Sequence, residues 1–250
     1  EFGMVVYEDI SGNVPAALRR AYPEARYSAR FGLDSIEIKA LDRIGYMEME
    51  RGLYEKSLDA FGRAEIIAYR MDDPDWKAYI SNGKGYVYSL MGDTAASITS
   101  YRKGWRLAIE NKLAGYVPEV GLALATTYSD IGRPDSARFY LEQLERDTVL
   151  SQRFRGIYDW HWAYFFRKND QLDSAEVYYQ RSLRTMDPEL DFHDKAIMQM
   201  EYAQMLQSQG RSRAALVQAK AALVVFRELE DIKTRLKTLK ILQDIHAALG

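Results

Sequence analysis

The chain has 250 residues, of which 47% are hydrophobic, so it has enough apolar surface for a core but no stretch long enough to span a membrane. Its 34 Lys and Arg against 36 Asp and Glu give a net charge of −2 with no long basic run, which disfavours nucleic-acid binding because neutralising phosphates normally needs a basic stripe. The chain contains no cysteine, which excludes disulfides, thiol catalysis and cysteine-ligated zinc.

Turn residues recur along the chain at intervals of about 40 residues. They are, in chain order, Gly12, Gly52, Gly92, Gly132, Asp170, Gly210 and Gly250. Glycine ends a helix in a left-handed conformation that other residues adopt only at a cost. A period of this length over the whole chain predicts a stack of similar helix pairs and excludes a single core built around one active site.

The predicted helices start and stop inside repeats at both ends of the chain. Residues 1–10 are expected to end a first helix, with its turn at residues 11–13 and a second helix from Val14 onward. Residues 234–249 are expected to form a first helix without a second one. This pattern favours a piece of a longer array, and a native start at Met4 behind a cloning remnant is the alternative.

Prolines mark several of the predicted helix boundaries. They fall between repeats or open second helices at Pro15, Pro74, Pro118, Pro134 and Pro188. Pro23 lies inside a predicted helix instead, and we expect it to break or kink that helix because proline removes a backbone N–H donor.

Small and large side chains keep a fixed register with the turns. Five residues after each turn the side chain is small: Ala17, Ser57, Ser97, Ala137, Ala175 and Ala215. Seven residues before most turns it is also small: Gly45, Gly85, Ala125, Ala163 and Ala203. Nine residues after four of the turns it is large: Phe61, Tyr101, Leu141 and Tyr179. Small residues let two helix backbones approach, and the large ones fill the space beside them.

This register resembles the tetratricopeptide repeat, with small, aromatic and small positions in its usual order. Two departures are the missing tryptophan near the fourth position and the 40-residue repeat, since the common form has 34 residues. The resemblance implies an all-α fold, an α-α superhelix of antiparallel helix pairs with about five complete repeats plus half repeats at the ends. It covers residues 1–250, which are expected to form a single domain.

The resemblance also implies a concave groove, lined by the first helix of each pair, that binds a protein or peptide. Aromatic and polar residues at its inward positions are the candidate binding residues: Tyr46, Tyr79, Asn82, Tyr86, Thr126, Trp160, Tyr164, Arg167 and Gln204. Tyrosine, tryptophan and amide side chains suit an extended peptide or a helix. The alternative is that some of these aromatic side chains pack between repeats.

No set of residues in the sequence predicts catalysis, a cofactor or a metal site. The three histidines are far apart and form no metal pair, and His161 is expected to pack among aromatic side chains. Residues 82–85, Asn-Gly-Lys-Gly, lack the spacing of a phosphate loop, and the acidic run at residues 72–75 is too short for a calcium loop. We therefore expect a domain that is not an enzyme.

One tetratricopeptide subfamily is disfavoured by its own motif. Co-chaperone domains clamp a terminal carboxylate with basic and amide side chains at the fifth and ninth positions. Here those pairs are Asp42/Tyr46, Asn82/Tyr86 and Leu122/Thr126, none of them basic. A receptor for chaperone tails is therefore not expected.

The sequences of two predicted second helices are similar to those of bacterial signalling arrays. They read Asp-Ser-Ala at residues 135–137 and again at residues 173–175, each followed by aromatic residues. Such arrays form input domains of histidine kinases in Bacteroidetes and of regulators with a DNA-binding domain, which implies a sensing region, periplasmic in the first case and otherwise cytoplasmic. A free-standing adaptor or assembly scaffold is the alternative. A homodimer formed through the uncapped repeat ends is a further possible arrangement.

Overall fold

The computed structural model describes residues 14–146, 152, 154–229 and 232–250. Within these residues the regular secondary structure is entirely α-helical. The helices are α1 Val14–Phe31, α2 Asp34–Glu50, α3 Tyr54–Arg70, α4 Pro74–Met91, α5 Thr94–Glu110, α6 Val117–Asp130, α7 Pro134–Glu145, α8 Arg155–Lys168, α9 Leu172–Thr185, α10 Phe192–Ser208, α11 Ser212–Glu228 and α12 Ile232–Leu249. The predicted turn at Gly12 lies outside the described residues.

The chain forms two compact units, Glu1–Thr127 and Tyr128–Gly250. In unit 1 each of α1 to α4 packs against the next helix, most extensively in the pairs α2–α3 and α4–α5. In unit 2 the corresponding pairs are α8–α9 and α10–α11, and α12 packs on α11. Tight turns between packed neighbours make each pair antiparallel. The predicted all-α fold of consecutive helix pairs is confirmed, while the single domain over residues 1–250 stays a prediction.

Residues with positive φ separate the helices in two interleaved series. The first lies inside the pairs, at Gly52, Gly92, Gly132, Asp170 and Gly210, with φ between 56° and 78°. The second lies between pairs and also repeats at intervals of 40 residues: Gly32, Asp72 and Lys112, with φ of 64°, 51° and 56°. The sequence analysis missed the second series because only Gly32 is a glycine, and aspartate or lysine accepts this conformation at a modest cost.

Close helix contacts explain the alternation of small and large residues. A Cβ atom at Gly45 would lie 2.7 Å from the Phe61 ring, and one at Gly85 would lie 2.6 Å from the Tyr101 ring. After the Gly52 and Gly92 turns the small residue is a serine that adds a hydrogen bond across the same contact: Ser57 Oγ donates to the Gly45 carbonyl oxygen at 2.7 Å, and Ser97 Oγ donates to the Gly85 carbonyl oxygen at 2.9 Å. Side-chain volume in the α2–α3 and α4–α5 pairs therefore fixes how closely the two helices approach.

Proline and aspartate residues shape the starts of several helices. The break expected at Pro23 does not occur: α1 is continuous from Val14 to Phe31, and the Pro23 side chain is exposed. In the acidic run at residues 72–75, Asp73 accepts a hydrogen bond from the Trp76 backbone N–H at 3.1 Å and caps α4. Among the described residues, none of the helices is both long and apolar enough to cross a membrane.

Candidate functional site

Three elements of unit 1, α2, α4 and the start of α6, bring a row of tyrosines together. The ring centroids of Tyr46 and Tyr79 are 6.0 Å apart, and those of Tyr79 and Tyr116 are also 6.0 Å apart. All three side chains are half-buried. Helix α2 contacts α4 directly, so the row crosses from one repeat to the next. The structure therefore brings two of the sequence candidates, Tyr46 and Tyr79, side by side.

Tyr46 contributes to the core as well as to this row. Its ring packs edge-on against the buried Phe61 with centroids 5.2 Å apart. Burial raises the pKa of the Tyr46 and Tyr79 hydroxyls well above their ordinary value, so both stay neutral and serve as hydrogen-bond donors and acceptors. Tyr46 thus combines packing between helices, the alternative that the sequence left open, with a half-exposed place in the tyrosine row.

A buried carboxyl group lies beneath the tyrosine row. Asp42 is one helical turn before Tyr46 on α2 and is only 4% exposed. Its Oδ1 atom is buried and has no hydrogen-bond partner among the residues that the structure describes. Burial raises the pKa of Asp42 to about 7, and the neighbouring Arg43 only partly opposes this rise. Such an acceptor is costly to leave unpaired, which makes Asp42 an unusual feature of the fold.

Asn82 and Tyr86, one turn apart on α4, differ in their accessibility. The Asn82 side chain is 6% exposed, and its amide donates a hydrogen bond to the exposed Glu119 carboxylate at 2.6 Å. Tyr86 is 47% exposed. Thr126, on α6, is half-buried and engaged in interactions within the protein. Of these three candidates, Tyr86 offers the most free surface to a partner.

The candidates of unit 2 are already bonded to acidic side chains. The Trp160 indole N–H donates to Glu201 Oε2 at 2.9 Å, and the Tyr164 hydroxyl donates to Asp130 Oδ1 at 2.5 Å. The Arg167 guanidinium lies 4.9 Å from the centroid of the Tyr164 ring, a distance typical of a cation–π contact. Burial raises the pKa of Glu201, and the hydrogen bond from Trp160 opposes it. These contacts join α8 to α10 through Trp160 and Glu201, and α8 to the end of α6 through Tyr164 and Asp130.

Gln204 and His161 are two further side chains of unit 2 that the sequence analysis considered. Gln204 is half-buried on α10, one turn after Glu201. The ring of His161 packs beside that of Trp160 with centroids 5.0 Å apart. Burial lowers the pKa of His161 to about 4, so the imidazole is neutral near pH 7. Within the described parts of the chain, no three His, Cys, Asp or Glu side chains are grouped so that they could hold a metal ion.

The sequence analysis missed the acidic members of both sites. Asp42 occupies the same fifth repeat position as Asn82 and Trp160, which is a signal that could have selected it. Glu119 likewise occupies the same second repeat position as Tyr79, whereas Glu201 is recognisable only from the structure, where it accepts a hydrogen bond from Trp160. Glu201 meets Trp160 through a contact between neighbouring repeats, which no local pattern in the sequence predicts.

Comparisons with known proteins return structural neighbours, of which two have low sequence identity to this chain. No protein-family model matches the chain, and no curated protein matches it either. Solved structures that resemble it include BtubC (BKLC) from P. vanneervenii, with 16% identity over 96% of this chain and 85% of that chain and a TM-score of 0.46. Another is the TPR2AB-domain:pHSP90 complex of yeast Sti1, with 14% identity over 92% of this chain and 99% of that chain and a TM-score of 0.33.

Proposed function

We propose that this chain is a non-enzymatic, tetratricopeptide-type binding domain that holds a protein or peptide on the inner helices of unit 1. The observation that carries the proposal is the tyrosine row Tyr46, Tyr79 and Tyr116, which crosses three elements with ring centroids 6.0 Å apart at each step. Its repeat-to-repeat spacing suits a ligand that extends along the stack.

Tyrosine is well suited to this role. Its ring supplies a large apolar contact, its hydroxyl supplies a hydrogen bond, and little side-chain entropy is lost on binding. In the row the rings are half-buried, so the fold already holds their positions before a partner arrives. Tyr86 extends the surface with a side chain that is 47% exposed.

Unit 1 is favoured over unit 2 by the state of its polar groups. In unit 2 the polar ends of Trp160 and Tyr164 are already occupied by Glu201 and Asp130. A partner there would first have to displace charge-assisted hydrogen bonds, which are the stronger kind. In unit 1 the unpaired Oδ1 atom of Asp42 and the exposed ring of Tyr86 need no such exchange.

The proposal is tested by selecting peptides from a random display library on the whole chain and titrating them by calorimetry. Tyr86→Ala should weaken binding of the selected peptides by about 30-fold, because truncating an interface anchor costs about 2 kcal/mol. The matched control is Tyr69→Ala on α3, where the tyrosine is equally exposed at 49%. If both variants bind like the wild type, or both lose binding equally, the inner face is not the binding surface.

We further propose that the domain is the sensing or interaction region of a bacterial signalling protein. Support comes from the resemblance of residues 135–137 and 173–175 to second helices of such arrays. A coding sequence that continues into a kinase core or a DNA-binding domain would support sensing. One that ends after a further repeat would favour the adaptor or scaffold.

A second copy of this chain is also a candidate partner. On α12, Leu236 is 59% exposed and Leu239 is 39% exposed, whereas Leu242 and Ile245 on the same helix are buried. Exposed leucines one turn apart suit contact with another apolar helix face. Sedimentation analysis tests this proposal, since Leu239→Glu should convert a dimer to a monomer, and a wild type that is already monomeric would contradict it.

A further inference from the structure

The Asp42 cluster is the feature of unit 1 that packing alone does not explain. We use this name for Asp42, Tyr46, Tyr79, Tyr116 and Glu119, which come from α2, α4 and the start of α6. Asp42 and Tyr46 share a helix face one turn apart, and the tyrosine rings follow at 6.0 Å intervals. Glu119, at the start of α6, accepts a hydrogen bond from Asn82 on α4 and adds a second carboxyl group to the cluster.

The Asp42 carboxyl group acts electrostatically on the tyrosines of the row. Its charge is close enough to raise the pKa of the hydroxyls of Tyr46, Tyr79 and Tyr116, which lie on three different elements. Glu119 acts on the same three hydroxyls in the same direction. The rings therefore stand in a locally negative field, and the described residues place no basic side chain against Asp42 other than its chain neighbour Arg43.

Electron-rich rings beside carboxylates form an environment that attracts cations. A cation over a tyrosine face is attracted by the negative charge on the face of the ring, and more strongly as water is removed. The buried Oδ1 atom of Asp42 adds a requirement, because it lacks a hydrogen-bond donor among the described residues. An N–H group would satisfy it, and a quaternary ammonium ion would not.

We propose that the Asp42 cluster binds a hydrogen-bonding organic cation, the ammonium or guanidinium group of a lysine or arginine side chain on the bound polypeptide. The aliphatic stem of that side chain lies along the rings of Tyr46 and Tyr79, and its charged end donates to Asp42 Oδ1. This deepens the proposed function and rests on it, since it names the chemistry that the partner presents at the inner face of unit 1.

The test uses small probes on the whole chain, with binding followed by chemical-shift changes in NMR spectra. Butylammonium stands for lysine, ethylguanidinium for arginine, tetramethylammonium for a cation without N–H donors, and butanol for a neutral chain. We expect one or both of the first two to bind, and the last two to bind at least tenfold more weakly. Stronger binding of butylammonium identifies lysine, and stronger binding of ethylguanidinium identifies arginine.

Variants assign the site. Asp42→Asn keeps the shape and removes the charge, and it should weaken cation binding about tenfold or more, equivalent to 1.4 kcal/mol. Tyr79→Phe keeps the ring and should retain most of the affinity. This result would show that a conservative change within the cluster does not by itself abolish binding. Asp59→Asn, an exposed carboxylate on α3, is the matched control and should leave binding unchanged. Equal affinity of wild type and Asp42→Asn, or equal binding of butanol and butylammonium, overturns the inference.

The peptides selected for the proposed function separate the two hypotheses. If they depend on Tyr86 yet contain no required lysine or arginine, the proposed function stands and the cation site fails. If no peptide binds but the cation probes bind through Asp42, the cation site stands and peptide binding fails. Both hypotheses are supported if the peptides are enriched in one basic residue whose replacement weakens binding to the wild type but not to Asp42→Asn.

Discussion

Replacing Gly85 by alanine tests whether side-chain volume sets the distance between paired helices. A Cβ atom at this position of α4 would lie 2.6, 2.7 and 2.9 Å from three atoms of the Tyr101 ring on α5. Ordinary carbon contacts are about 3.5–4.0 Å, so the ring or the helix has to move by about 1 Å. Tyr101 is only 4% exposed, which leaves the ring little room to move.

Two effects of opposite sign act on this variant. Alanine is favoured over glycine in a helix interior by about 1 kcal/mol. Overpacking a close contact costs about 1–3 kcal/mol. We therefore expect Gly85→Ala to lower the free energy of unfolding by up to about 2 kcal/mol. Gly62→Ala on α3 is the matched control, because no described atom other than those of its chain neighbours and its own helix backbone lies within 4 Å of the new Cβ. It should gain up to about 1 kcal/mol.

Urea unfolding followed by far-UV circular dichroism measures both variants, with an unchanged slope as the check that the unfolded state is the same. Tyr101→Leu removes the ring, so Gly85→Ala should cost less in that background, with a coupling of about 0.5–3 kcal/mol. If Gly85→Ala is as stable as Gly62→Ala, the close contact between α4 and α5 does not exist as described.

Two further predictions concern unit 2. Ala137 on α7 is fully buried, so in thermal melts Ala137→Tyr should lower stability by about 1–3 kcal/mol or more through overpacking. Glu142→Tyr, at an exposed site of the same helix, is the control and should be nearly neutral. Asp159 on α8 is fully buried and is held by the Arg181 side chain, whose Nε donates to Asp159 Oδ2 at 2.7 Å. Asp159→Ala should lower stability by about 2 kcal/mol relative to the exposed control Asp173→Ala, and the loss is limited because water can solvate the part-exposed Arg181. Equal melting of the two variants would show that this ion pair contributes no net stability.

The helix pairs could be predicted from the sequence because their signals are local. Gly52 and Gly92 mark turns by a backbone property of glycine alone, and Gly85 sits a fixed number of residues before its turn because a helix contact recurs there. The second series of turns was not predictable in the same way. Asp72 and Lys112 adopt the left-handed conformation without any residue type that announces it.

The candidate site was only partly predictable, because its members meet through contacts between repeats. The repeat position predicted Tyr46 and Tyr79, which the structure places side by side. The same position gave no reason to expect that Trp160 would be bonded to Glu201, a residue 41 positions later in the chain. Spacing within one repeat indicates which face a residue occupies, but whether its polar atoms are free depends on the neighbouring repeat.

The pH dependence of stability gives a test of Asp42 that needs no ligand. Burial raises the pKa of Asp42 in the folded state from its ordinary 3.8 to about 7, so between these values the folded state binds more protons than the unfolded state. The stability that this group contributes is therefore complete below pH 3.8 and is lost as the pH rises through about 7. The full shift corresponds to at most about 4 kcal/mol.

Asparagine has nearly the same shape and carries no charge, so Asp42→Asn should be more stable than the wild type above pH 7, with a difference that shrinks towards acid pH. Arg43 favours the charged carboxyl and persists in both proteins. The hydroxyls of Tyr46, Tyr79 and Tyr116 have pKa values raised above their ordinary value, so they stay neutral through pH 7 whether or not Asp42 is charged, and the difference between the two proteins isolates Asp42. Asp59→Asn should show no such trend. A difference that does not vary with pH would mean that Asp42 is solvated or paired in solution. A variant that gains stability and loses cation binding would show why the carboxyl is kept, since a buried charge that weakens the fold is useful only when a partner neutralises it.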